Sequence, residues 1–261
     1  MKKIASFLIC ATLCILLTGC TKYQATFEID KNQNVGISVF GGFNVDEIFG
    51  FMVKTFGANA QEYDFKSIMK KNMQEALKKE RVNPKNPFKN YETAVIEDGK
   101  FIGVQYKKAF KKFDNIELPK GYYSKQKKFI ETKKGFFKTQ YSIELEVDLD
   151  EIKVQDEAQQ QQINNNPALK AQVEKIQKDL AKVTINDIVI KTPCRASKTN
   201  ANKKDDVNLT YTWNIDILAK GKMPIQIIYE ETNTQAIAIA VIAGLLLLLL
   251  IIKICFPTRK E

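Results

Sequence analysis

Tyr23-Gln24-Ala25-Thr26-Phe27-Glu28-Ile29 runs into Asp30-Lys31-Asn32-Gln33-Asn34 and out again through Val35-Gly36-Ile37-Ser38-Val39. Apolar side chains fall on every second residue on either side of five polar turn formers, the period of a half-buried strand and not of a helix. The stretch predicts a β-hairpin, which makes a sheet the organising layer. Gly41-Gly42 is expected to break its second strand.

Working outward, 44–80 is expected to be mainly helical. Phe65, Ile68, Met69, Met73, Ala76 and Leu77 keep one apolar face against Lys66, Lys70, Lys71, Lys78 and Lys79, and Pro84 and Pro87 end the run. A second hairpin follows over 92–106 around Asp98-Gly99, a favoured two-residue connector. In 137–149, Ile143, Leu145, Val147 and Leu149 alternate with Glu144, Glu146 and Asp148. Those acids have no coordinating-loop spacing, so they read as the wet face of a strand and not as a calcium site or an acid pair. A Gln/Asn tract over 159–166 leads to Pro167 and a short amphipathic helix through Leu169, Val173, Ile176 and Leu180. Strands are then expected over 183–190, over 207–217 with Val207, Leu209, Tyr211, Trp213, Ile215 and Ile217 on one face, and over 223–229. The fold class expected is α+β: a mostly antiparallel sheet covered by one long amphipathic helix, with a C-terminal transmembrane helix.

The two ends set the compartment. Met1-Lys2-Lys3 precedes an uncharged apolar run over 4–17, the layout of a secretory signal. Leu17-Thr18-Gly19-Cys20 resembles the bacterial lipobox, which implies that 1–19 is removed as a signal peptide and that Cys20 becomes an acylated N-terminus. At the other end, seventeen apolar residues fill 236–252, and with Lys253 snorkelling the run extends to Phe256. At ~1.5 Å per residue such a helix crosses ~30 Å of hydrocarbon, so 234–256 is expected to span a membrane. Arg259 and Lys260 follow it while Glu230 and Glu231 precede it, which puts the tail 257–261 in the cytoplasm and the bulk of the chain outside. The chain is thus expected to be held to one bilayer at both ends. Between them lie the first part of an ectodomain (20–155), the polar tract and its helix (156–183), and a β-rich membrane-proximal part (184–233).

Histidine is absent from all 261 residues. That excludes His-based triads, histidine proton shuttles and His-ligated metals, because each needs an imidazole. There is no CxxC pair, no glycine-rich phosphate loop before a helix and no nucleophile elbow, so no enzyme, cofactor or metal site is expected. Of five cysteines only Cys194 remains in the exported part once the signal, the lipid site and the membrane segment are assigned. A lone thiol forms no internal disulfide, so the ectodomain has to hold by core packing.

Charge is concentrated in one window. Positions 100–138 hold twelve lysines against Asp114, Glu117 and Glu131, interleaved with nine aromatics. Ammonium groups for headgroups and rings for the apolar boundary are what a surface needs to grip an amphiphilic anion. Nucleic acid would use the same groups, but an exported domain meets envelope lipids and polymers first.

The layout is similar to the LppM-type lipoprotein family of bacteria. The likeness rests on the lipobox cysteine, Lys22-Tyr23 directly after it, the polar hairpin turn, Asp98-Gly99-Lys100 followed by Gly103-Val104-Gln105-Tyr106-Lys107-Lys108, Phe113-Asp114-Asn115-Ile116-Glu117-Leu118, Asn208-Leu209-Thr210-Tyr211-Thr212-Trp213, and a single C-terminal membrane helix. It implies a two-layer α/β domain with an apolar groove, connected in mycobacterial members with envelope glycolipids. It supplies no catalytic residues, and the lysine richness and the Gln/Asn tract depart from it.

The function expected is a membrane-anchored lipoprotein that binds an amphiphilic anionic lipid or glycolipid of the envelope without turnover. Phe65, Ile68, Met69, Met73 and Leu77 are the expected apolar site, and Lys107, Lys108, Lys111, Lys112, Lys125, Lys127 and Lys128 its charged rim. The rival is a structural or assembly protein that contacts other membrane proteins.

Overall fold

A computed structural model describes residues 21–56, 65–81, 86, 88–111, 116, 130–149, 184–216 and 219–255, of which 51–56, 65, 81 and 250–255 are described in backbone only. Cys20 and the lipobox, the Gln/Asn tract with its helix, and Lys112, Lys125, Lys127 and Lys128 lie outside the described residues.

The hairpin forms as its alternation requires. β1 (Thr21–Ile29) and β2 (Val35–Asn44) pair in unbroken antiparallel register from Thr21↔Phe43 to Ile29↔Val35. Asp30 organises the turn: its Oδ1 accepts from the Asn32 and Asn34 amides at 2.8 Å each, and its Oδ2 accepts from Asn34 Nδ2. These donors hold the Asp30 carboxyl below the ordinary carboxylate range. Gln33, at φ 66°, takes the left-handed position of the turn.

Gly41-Gly42 does not break the strand. β2 pairs with β1 on one side and with β4 (Phe101–Phe110) on the other through Asn44, and this two-sided ladder overrides the weak strand preference of glycine. β3 (Glu92–Asp98) adds an edge to β4 across Gly99, at φ 60°. On the other flank β1 runs parallel to β7 (Ile185–Lys191), followed by β10 (Thr210–Asn214) and β9 (Lys203–Asp205). The sheet order is β3-β4-β2-β1-β7-β10-β9. A second sheet, β5-β6-β11-β8, is built from β5 (Ile130–Lys134), β6 (Lys138–Asp148), β11 (Lys222–Thr232) and β8 (Ala196–Thr199).

The covering layer differs from expectation. Phe27, Ile37, Ile190, Tyr211 and Trp213 of the first sheet share one core with Ile143, Leu145, Val147, Ile225, Ile227 and Tyr229 of the second. The main sheet is therefore covered by another sheet and not by one long amphipathic helix. The helical region is divided into α1 (Val45–Phe56), which Asn44 Oδ1 caps at the Glu47 amide, and α2 (Phe65–Arg81). Leu77 of α2 is buried, but Ile68 is 43% exposed. A helix whose apolar stripe is this narrow and lysine-flanked buries too little to cover seven strands, whereas β6 and β11 bring a buried residue at every second position. Tyr229, deep in this core, has its phenol pushed far up by burial.

Residues 206–209 form a turn, so the strand expected from Val207 starts only at Thr210. Asp205 Oδ1 accepts from the Val207 and Asn208 amides, its Oδ2 accepts from Asn208 Nδ2, and Leu209 sits at φ 52°. These local bonds outcompete the ladder, and Val207 is left 91% exposed.

α3 (Thr234–Cys255) begins two residues after β11, and Asn233 Oδ1 accepts from the Ala236 amide as its N-cap. Its described side chains stop at Leu249, and among the described residues no helix is long and apolar enough to cross a membrane. The expectation of a spanning helix over 234–256 thus outruns the described side chains.

Candidate functional site

The inward faces of the central strands line up in rows across the main sheet. One row reads Val104, Gly41, Tyr23, Asn186, and the next reads Tyr106, Val39, Ala25, Ile188, Trp213. The first row carries a glycine where its neighbours carry side chains. At that place the second sheet runs out, because β6 ends at Asp148. A cavity of about 490 Å³ occupies the gap, walled by Tyr23, Ala25, Gly41, Phe43, Val104, Tyr106, Val147, Ile188 and Ile215.

Thr21, Lys22, Asn186 and Asp187 supply its polar edge. Lys22 is already engaged: its Nζ lies 2.6 Å from Asp98 Oδ2 and 5.8 Å from the centre of the Phe40 ring. Asp187 Oδ1 accepts from Asn214 Nδ2 at 2.6 Å. The edge therefore pairs one cation with nearby carboxylates and has no surplus of positive charge. Three glycines meet where β2 and β4 pair, and they tolerate a side chain differently. A Cβ on Gly41 would meet the Tyr23 ring at 3.6 Å, ordinary contact, whereas one on Gly103 would lie 2.2 Å from the Gly41 carbonyl oxygen and one on Gly42 would lie 2.5 Å from the Phe40 ring. Gly103 is thus required by backbone approach, and Gly41 keeps the cavity open.

The apolar helix residues lie elsewhere. Met69 and Met73 are half-buried, Leu77 is buried, Ile68 is exposed and the side chain of Phe65 is outside the described residues; none of the four described side chains lines the cavity. α2 is tied to the sheet edge by Lys66 and Lys70, at 2.8 and 3.0 Å from Glu97, and by the Tyr106 hydroxyl, which donates to Glu80 at 3.3 Å. The two lysines hold the Glu97 carboxyl below its usual range.

The three described lysines of the expected rim do not share one face. Lys107 and Lys108 are neighbours on β4 and so face opposite ways. Lys107 pairs with Ser38, and both lysines border a depression of about 550 Å³, while Lys108 Nζ stands 5.3 Å from the Tyr91 ring centre and 4.9 Å from that of Phe110. Lys111 is exposed past the end of β4, at the opposite end of the sheet from the cavity.

The residues that do form the cavity were readable in part. Val35, Ile37, Val39, Gly41 and Phe43 share one face of β2, so a glycine interrupting an inward apolar row was a signal of a depression and not of a break. Among the described residues no group of histidine, cysteine or carboxylate side chains could hold a metal. Cys194 is half-buried, its Sγ lies 3.2 Å from the Glu230 carbonyl oxygen, and burial with the Glu231 charge pushes its thiol up, away from the thiolate form.

No family model and no curated protein matches the chain. Among solved structures, the NMR structure of the folded domain of LppM from Mycobacterium tuberculosis is similar over 83% of this chain and 93% of that domain, with a TM-score of 0.35 and 8% identity. A likeness of that size assigns neither a ligand nor an activity.

Proposed function

We propose that this protein is a non-catalytic envelope lipoprotein, carried on a bilayer by α3 and acylated at Cys20, whose sandwich holds the acyl part of an amphiphile in the cavity beside Thr21. The observation that carries the reading is the cavity: open, about 490 Å³, apolar on its walls and polar only at its edge. That is the form of a site for a chain with a polar head. Carriage by α3 is supported by its composition. Apolar side chains are exposed all round it from Ile237 to Leu249, and its helical backbone continues to Cys255, 22 residues in all. Only with 250–255, whose side chains lie outside the described residues, does that length at ~1.5 Å per residue match a bilayer core, and a helix apolar on every side needs lipid or protein around it.

An anionic headgroup is not part of the cavity reading. Lys22 is paired with Asp98, none of Lys107, Lys108 and Lys111 lines the cavity, and Lys111 lies past the far end of β4.

The test uses residues 21–233 without either anchor and parinaric acid, a fluorescent fatty acid. Saturable binding is expected in the parent. Val104→Trp, which fills the cavity, should weaken it by about tenfold or more while leaving the circular dichroism unchanged. No binding by the parent, together with stoichiometric crosslinks to membrane proteins in native membranes, would favour the assembly role instead.

A further inference from the structure

The end of the sandwich opposite the cavity has a character of its own. β1 and β11 both start at the cavity end, where Thr21 and Val147 line the site and Met223 pairs with Val147. Both finish at the end from which α3 departs. Gln33 Nε2, in the β1–β2 turn, donates to the Tyr141 hydroxyl, which donates to Glu231, so this turn and the root of α3 share one end.

Five large apolar side chains outside α3 are exposed among the described residues: Ile68, Phe136, Phe137, Ile185 and Val207. Three of them gather at the α3 end. Phe136 and Phe137, 66% and 50% exposed, form the tip of the β5–β6 hairpin with their rings edge to face at 4.8 Å. This tip is bonded to the root of the helix, since the Asn233 amide donates to the Phe137 carbonyl at 2.8 Å and Asn233 also caps α3. Val207 heads the β9–β10 turn, which the Arg195–Asp206 ion pair at 2.7 Å and the Cys194 bond to Glu230 link back to the end of β11. Lys31, Lys111, Lys133 and Lys134 are exposed at the same end, while Glu230 is paired with Lys138 and Asp206 with Arg195.

We infer that this end docks on the bilayer that α3 enters, with Phe136, Phe137 and Val207 in the interfacial layer and the lysines on anionic headgroups. The inference rests on the reading that α3 spans. Aromatic side chains beside the root of a spanning helix seat at the interface, and lysines near an anionic surface add to the attraction. The sandwich then stands upright, with the cavity mouth turned away from this bilayer.

The test is full-length protein reconstituted into vesicles of phosphatidylcholine with phosphatidylglycerol, some of the lipid carrying a doxyl quencher high on the acyl chain. Single-tryptophan reporters are made by Phe136→Trp and Ile185→Trp, each on a Trp213→Phe background, with circular dichroism as the check on folding. Both replaced surface residues are exposed, and Ile185 sits at the cavity end. The Phe136→Trp emission should be quenched about threefold more than the Ile185→Trp emission, as expected for a ring at the interface against one far from it. Co-flotation of the protein with an unquenched Phe136→Trp reporter would overturn the docking alone, and equal quenching of both reporters would overturn the upright stance. Failure to float with the vesicles would overturn the docking together with the reading of α3.

Discussion

Asn200 does more to join the two sheets than its place in a polar loop suggests. Its Oδ1 accepts from Trp213 Nε1 at 2.8 Å and from the Gln226 amide at 2.8 Å, and its Nδ2 donates to the Pro224 carbonyl at 2.9 Å. One side chain thus satisfies the buried indole of the first sheet and two backbone groups of the second. Trp213 is 0% exposed while Asn200 is exposed, so losing the Asn200 side chain removes three hydrogen bonds and lets water replace part of them. Asn200→Ala is expected to cost about 1–3 kcal/mol, from net contributions of about 0.5–1.5 kcal/mol per bond. Urea unfolding followed through Trp213, the one tryptophan of the chain, measures it directly.

At the scale of elements, the β2–β4 pairing shows that two glycines in one ladder can have opposite roles. Gly103 pairs with Gly42, and any Cβ placed on Gly103 would run into the backbone of Gly41 and Gly42. Backbone cannot move aside as a side-chain tip can, so Gly103→Ala should destabilise by about 1–3 kcal/mol, the range for overpacking. Gly41→Ala meets only a ring at ordinary contact distance and should shift the midpoint by less than about 1 kcal/mol. Equal midpoints for the two variants would sink this account of the β2–β4 ladder. The same ladder explains why the glycine pair, read as a break, lies inside a continuous strand: the reading weighed β2 alone, but two neighbours hold it.

For the whole molecule, the decisive feature is that both sheets are assembled from both halves of the chain. β1 pairs with β7 and β6 pairs with β11, across the 150–183 region in each case. A protease site engineered within 150–183 and cut should therefore leave the two fragments together through gel filtration without denaturant, and separation of the fragments would contradict a shared core. The same topology sets the two proposed attachments apart. Thr21 and the root of α3 lie at opposite ends of strands that rise ~3.3 Å per residue, nearly 30 Å over the nine residues of β1. With the sandwich upright, α3 alone enters that bilayer, and the acyl group proposed at Cys20 is carried at the cavity end beside Thr21.

Much of this was legible without coordinates. The period-two alternation of 23–39 and 137–149 marks strands because successive side chains on an extended chain face opposite ways whatever their neighbours. Asp30 and Asn34, and Asp98 with Gly99, mark turns because their bonding and left-handed preferences are local. What only the tertiary structure decided was which layers meet. A narrow helix face and a second sheet compete to cover the first, and the winner depends on apolar area summed over distant strands. The cavity arises in the same way, from a missing side chain at Gly41 opposite the point where β6 stops at Asp148, two facts far apart in the chain that no local pattern connects.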